Sequence, residues 1–118
     1  MNKFDLENRL IDFSVKVVEN LDLLEKKSIN LHLKDQVIRS CTACSLNYGE
    51  AQSAESRKDF IHKLGIVMKE LRETQINLKM LHRLNSGIPN GSFIELIKEN
   101  DELLAIMFRT IETVRKNS

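Results

Sequence analysis

Residues 56–84 read SRKDFIHKLGIVMKELRETQINLKMLHRL. Within them Phe60, Leu64, Val67, Leu71, Thr74, Leu78 and Leu81 recur at steps of 4, 3, 4, 3, 4 and 3. That alternation keeps one seam on one side of an α-helix. The spacing predicts a helix over 57–84, about 42 Å long at about 1.5 Å per residue. A rod of that length, apolar along one side, is not stable alone in water, so other helices must cover it. Ser56-Arg57-Lys58-Asp59 is a capping sequence for its start, and Asn85-Ser86-Gly87 with Pro89 beyond reads as its end.

The flanking sequence supplies three further amphipathic segments. Before residue 56, Leu6, Leu10, Phe13, Val17, Leu21 and Leu24 form a stripe, widened by Ile11 and Val18, that predicts a helix over about 5–24. A second helix is expected over about 29–51, capped by Ser28 or Asn30, with Leu33, Val37, Cys41, Cys44 and Tyr48 as its apolar side. Beyond residue 84, Ser92-Phe93-Ile94-Glu95 is a capping box opening a helix over about 93–116. Phe93, Ile97, Leu104, Met107, Ile111 and Val114 are read as its seam, interrupted by Asn100 and broadened by Leu96, Leu103 and Ile106. Four helices joined by short loops predict an all-α, antiparallel, up-down-up-down four-helix bundle. The 118 residues suit a single domain.

Several functions are disfavoured by composition. Eighteen Lys and Arg against 17 Asp and Glu give a net charge of +1, so nucleic-acid affinity would need segregation of charge rather than excess. The chain has no Trp and one Tyr, which leaves little for base stacking. No apolar run approaches the roughly 18 residues of a membrane span, and MNKFDLENRL lacks a signal-peptide core, so a cytoplasmic location is expected. Cys41-Thr42-Ala43-Cys44 has the C-x-x-C spacing of a metal or redox site, but scattered His32, His62 and His82 complete no ligand set. Both thiols are better read as small apolar side chains on a buried helix face. Asp59-x-x-His62 lacks the second copy and the extra carboxylates of a di-iron bundle. No phosphate loop, nucleophile elbow or metalloprotease motif occurs. The expectation is a non-enzymatic protein with no metal and no cofactor.

Two polar patterns remain. Gln36, Ser40, Ala43, Asn47 and Glu50 run beside the apolar side of the second helix at steps of 4, 3, 4 and 3. Small and amide-bearing residues in such a stripe let another backbone come close and demand hydrogen-bond partners. With Arg39, Arg72 and Glu73 they form a candidate subunit-contact surface or polar network. On the third helix, Lys58, His62, Lys69, Arg72, Lys79 and Arg83 keep a heptad pattern away from the apolar seam. That flank could follow a nucleic-acid backbone, or it is a solvated face with pairs such as Lys69–Glu73.

Gln36-Val37-Ile38-Arg39-Ser40, Asn47-Tyr48-Gly49-Glu50 and Ser56-Arg57-Lys58-Asp59-Phe60 together resemble the signatures of a bacterial four-helix-bundle protein family. That family was formerly labelled ribosomal because some members are encoded in intervening sequences of large-subunit ribosomal RNA genes. Lys69-Glu70-Leu71-Arg72-Glu73-Thr74 resembles a further family segment. Ala51 and Ala54 depart from the family's glycine and arginine at the turn between the second and third helices. The resemblance implies a homo-oligomer, a ring of five bundles with no established activity; the second stripe of the 29–51 helix and the lack of a catalytic set add the expectation of a scaffold for a protein partner. The family is also distantly similar in fold to the basic pentameric accessory protein of diversity-generating retroelements, which implies structured RNA as an alternative partner.

Overall fold

The computed structural model describes residues 2–86 and 92–117, with the side chains of Lys3 and Ser92 outside the description. Four helices account for nearly all of it: α1 (Lys3–Leu21), α2 (Ser28–Ala51), α3 (Arg57–Leu84) and α4 (Ser92–Lys116). Each packs on its sequence neighbours, and α1 closes the bundle against α4, so that α1 stands diagonal to α3 and α2 to α4. This is the predicted up-down-up-down bundle, 49 × 21 × 20 Å.

The seam of α3 is its axis. Leu64, Val67, Leu71, Thr74, Leu78 and Leu81 are all fully buried, and Phe60 at the helix start is half-buried. Ser56 Oγ accepts from the Asp59 backbone N–H at 3.0 Å, which satisfies one of the free donors of the first turn. Asn85 is the C-cap; Gly87 and Pro89 lie outside the described residues.

Helix ends differ from expectation where backbone chemistry outranked the apolar pattern. α1 starts at Lys3 because Asn2 caps it: Asn2 Oδ1 accepts from Phe4 and Asp5 N–H, and Asp5 Oδ2 accepts from Asn2 N–H. It ends at Leu21, although the apolar repeat runs on to Leu24. The last turn tightens, with Leu23 N–H donating to Asn20 O and Leu24 N–H to Leu21 O, and Leu24 still packs on the core. Ser28 is the first residue of α2, and Lys27 occupies its cap with no side-chain bond. Asn30 is not a cap. It is buried and exchanges hydrogen bonds with Asn85 (3.1 and 3.0 Å) while donating to Glu25 O, pinning the start of α2 to the end of α3. The capping box at Ser92 lies outside the described side chains.

In α4 the seam is rotated from the predicted one. Phe93, Leu96, Leu103, Met107 and Ile111 are buried, whereas Ile97, Leu104 and Val114 are only half-buried. In α1, Ile11 does not widen the stripe but stays 44% exposed. The α1–α4 contact is tied by Arg9, whose Nε and Nη2 donate to the two Glu99 oxygens at 2.8 and 2.7 Å and which also pairs with Glu102. The Glu99 hydrogen bonds hold the Arg9 guanidinium above its ordinary range.

Asn100 sits in the rotated seam, completely buried, and neither its Oδ1 nor its Nδ2 has a hydrogen-bond partner among the described residues. A buried unpaired amide costs about 1–3 kcal/mol. Asn100→Leu is expected to raise stability by about that amount in urea unfolding. A loss of stability instead would show that an internal water completes the amide.

Cys41 and Cys44 are free thiols, fully buried on the α2 seam, as expected of small apolar side chains. Burial pushes Cys41 up to about 11 and Cys44 higher still, so both stay protonated at neutral pH. A thiol whose folded pKa is raised stabilises fully below its unfolded value and loses that contribution as pH climbs through the folded one. The urea midpoint should therefore fall as pH rises from 9 to about 11. The same pH step should move it less in Cys41→Ala/Cys44→Ala.

Candidate functional site

The polar residues singled out in the sequence divide between two sides of α3. On the α2 side a layered network ties the two helices. Ser40 Oγ and Thr74 Oγ1 share a 2.6 Å hydrogen bond within the core, and Thr74 Oγ1 donates onward to Glu70 O. One turn outward Arg39 donates to Glu70 at 3.1 Å and to Glu73 at 2.6 Å. Glu50 takes the same kind of bond from Lys63 at 3.1 Å. These links and Asn30–Asn85 advance along α2 as they retreat along α3, the register of an antiparallel pair. Asn47 is half-buried and turns back on its own helix, donating to Ala43 O at 2.8 Å. Gln36 is exposed at the mouth of a groove of about 320 Å³ with Arg39, Glu73, Ile76 and Asn77.

The structure thus brings Arg39 and Glu73 together, seats Ser40 inside the bundle, and places Asn47 and Glu50 farther along. Arg72 is on the other flank of α3. Glu70 is the member that sequence reading missed: it is 8% exposed and ion-paired to Arg39. Its position three residues before Glu73, both facing α2, was the available signal. Glu73 above all, with Glu70, raises the Arg39 guanidinium above its ordinary range. A cation held by two carboxylates has little left to offer a ligand.

The opposite flank of α3 differs in kind. Lys58, His62, Lys69, Arg72, Lys79 and Arg83 are all exposed, as the heptad pattern predicts. Among the described residues none of these cations has a carboxylate within 4 Å. The expected Lys69–Glu73 pair does not form, because Glu73 is taken across the helix interface by Arg39. Glu70, the other acid near this flank, is turned inward to the same partner. The result is a one-signed stripe along α3. Beside it is a shallow surface notch of about 470 Å³ lined by Gly65, Met68, Lys69, Arg72, Glu73 and Ile76.

Elsewhere the surface carries another groove, of about 520 Å³, between α1 and α4, where Arg9, Asp12, Lys16, Glu95 and Glu102 mix charges of both signs. Asp59 is half-buried and His62 exposed. Among the described residues no three His, Cys, Asp or Glu side chains stand close enough to hold a metal ion. Nor is any helix there long and apolar enough to cross a membrane.

Comparison with known proteins agrees with this architecture. A crystal structure of a protein of unknown function from the S23 ribosomal protein family of Bacteroides thetaiotaomicron is 28% identical, with a TM-score of 0.83, and the match covers 95% of this chain and 99% of that one. No curated protein matches. The 23S rRNA-intervening sequence protein family matches residues 2–109. With four helices in that arrangement and nearly the whole length matched, the chain belongs to the 23S rRNA-intervening sequence protein family.

Proposed function

We propose that this chain is a non-enzymatic, self-assembling cytoplasmic module whose copies form a homopentameric ring, and that the ring is a scaffold for a protein partner. The observation that carries the reading is surplus apolar surface on a bundle whose core is already full. Leu46 is 69% exposed, Ile76 58%, Phe108 55% and Val15 51%. Large apolar side chains left outside the core on every helix support the reading that another chain covers part of this surface. The inert thiols and the doubly neutralised Arg39 support a role in interaction rather than in bond chemistry. The ring of five comes from the resemblance, and light scattering after size exclusion tests it: the expected mass is five times the 13.6 kDa of the chain. A well-folded monomer at micromolar concentration would remove the proposal.

A second reading has its own observation. The unpaired stripe of Lys58, Lys69, Arg72, Lys79 and Arg83 is suited to structured RNA. Five phosphate contacts predict an affinity loss of roughly two to three orders of magnitude between about 50 and 200 mM salt, since each contact releases counterion. Filter binding measures it, and Lys79→Glu with Arg83→Glu should abolish the complex. Binding indifferent to that double substitution would dismiss the stripe as an RNA surface.

A further inference from the structure

Resting on the self-assembly reading, we infer that copies join head to tail: the acid-rimmed apolar face of α1 and α2 on one chain docks on the base-rimmed apolar face of α3 and α4 on the next. The two faces lie on opposite sides of the bundle. Ser14 Oγ donates to Cys41 O at 2.8 Å, which fixes the sides of α1 and α2 that meet. Outward from that line, helical spacing groups Ile11, Val15 and Glu19 on α1, with Leu31, Asp35 and Leu46 on α2. All six are exposed.

Acids stand at both ends of this apolar strip. Glu19 and Asp35 share one end, since α1 and α2 run antiparallel. Glu7, one turn before Ile11, is half-buried at the other end beside Tyr48, whose hydroxyl is raised above its ordinary range by burial first and by the Glu7 charge second. Among the described residues none of these three acids has an ion-pair partner. Most nearby cations are directed elsewhere, Arg9 to Glu99 and Glu102, Lys34 to Asp22, Arg39 to Glu70 and Glu73, which leaves exposed Lys26 of the α1–α2 connection as the cation nearest the Glu19 and Asp35 end. Lys16 lines the groove toward α4.

The other face has the opposite design. Gln75 bonds Asp101, which places the heptad stripe Ile94, Asp101, Phe108 of α4 beside the cationic flank of α3. Ile94 and Phe108 are 43% and 55% exposed. Asp101, the acid in that stripe, accepts from neutral Gln75 and keeps its charge, but it is outnumbered by Arg72, Lys79 and Arg83, none of which has an ion-pair partner among the described residues. The net charge of +1 is therefore a cancellation between two sides of the molecule. Apolar patches of complementary sign on opposite sides make a heterologous contact, the kind that builds rings. A side of 49 by 21 Å can supply the roughly 800 Å² per partner that a stable interface uses.

Gly65 is an independent sign. It is exposed in the first third of α3, and a Cβ there would meet nothing within 4 Å in the single chain. Glycine at such a place weakens a helix by about 1 kcal/mol relative to alanine, without a packing reason inside the bundle. It floors the notch beside Arg72, where a docked side chain could enter.

The test is reversal of charge on each face, followed by sedimentation velocity and circular dichroism. Glu19→Lys/Asp35→Lys, and separately Arg72→Glu/Lys79→Glu, should each raise the dissociation constant of the assembly at least about 100-fold, because like charges would meet across the joint. All four substitutions in one chain should restore assembly, since both faces are then reversed. Leu46→Asp, exposed and harmless to the isolated fold, should dissociate it as well. If wild type assembles and the two-site variants assemble equally well, the head-to-tail contact is wrong while self-assembly stands. A monomeric wild type overturns both. If reversing Arg72 and Lys79 removes RNA binding and leaves the oligomer intact, the flank serves RNA and this contact is refuted.

Discussion

The pairing of α2 with α3 is the constraint from which the remaining structure follows. Its inner layer is apolar, with Val37, Cys41 and Cys44 facing Leu64, Val67 and Leu71, all fully buried. Sliding one helix along the other would leave such a layer partly intact, because apolar contact is not directional. The polar links remove that freedom. Ser40 shares its shortest bond with Thr74, Arg39 reaches two carboxylates at Glu70 and Glu73, and Asn30 meets Asn85 at the far end. A slip by one turn would break all three links; the cost falls on the buried members, Ser40 with Thr74 and Asn30 with half-buried Asn85, while exposed Arg39 would return to water. The apolar seam supplies the attraction and the polar layer fixes the register.

The fold was legible because helical periodicity is a strong signal when sustained, and α3 sustains it without interruption. Boundaries were less legible for identifiable reasons. Asn2-Lys3-Phe4-Asp5 is a capping box in its amide and aspartate form, set before the first apolar repeat, so the pattern that announced the helix began too late. The repeat through Leu24 was genuine burial but not genuine α-helix, since a tight last turn keeps the same side chain on the core. In α4, apolar residues occur around more than half the circumference, so spacing alone could not choose between a seam through Ile97 and Leu104 and one through Leu96 and Leu103. Packing against both α1 and α3 chose the second.

The candidate site was legible only in part. A sequence places Lys69 and Glu73 at an ideal helical separation, and an isolated helix would pair them for a few tenths of a kcal/mol. The folded chain offers Glu73 a better partner, because Arg39 is fixed opposite and can reach Glu70 at the same time. Pairing across an interface is invisible to local spacing until the register of two helices is known. The same blindness hid the consequence, that engaging Glu70 and Glu73 with Arg39 leaves the outer cations of α3 without an ion pair among the described residues. A balanced composition concealed a divided surface.

That division bears on how the two proposed uses of α3 relate. The cations that would grip a phosphate backbone are the ones that would receive the acidic face of a neighbouring copy. One flank cannot do both at once, so the two ligands are linked: whatever binds the flank of a free chain draws the equilibrium away from the joined one. A closed ring would bury its basic stripes against acidic ones and present a nearly neutral surface, whereas an open or dissociated form would display an uncovered stripe. Salt would weaken both contacts through the same charges. The apolar components, Leu46 on one face and Phe108 on the other, gain nothing from a phosphate backbone, and they tilt the balance toward the second copy.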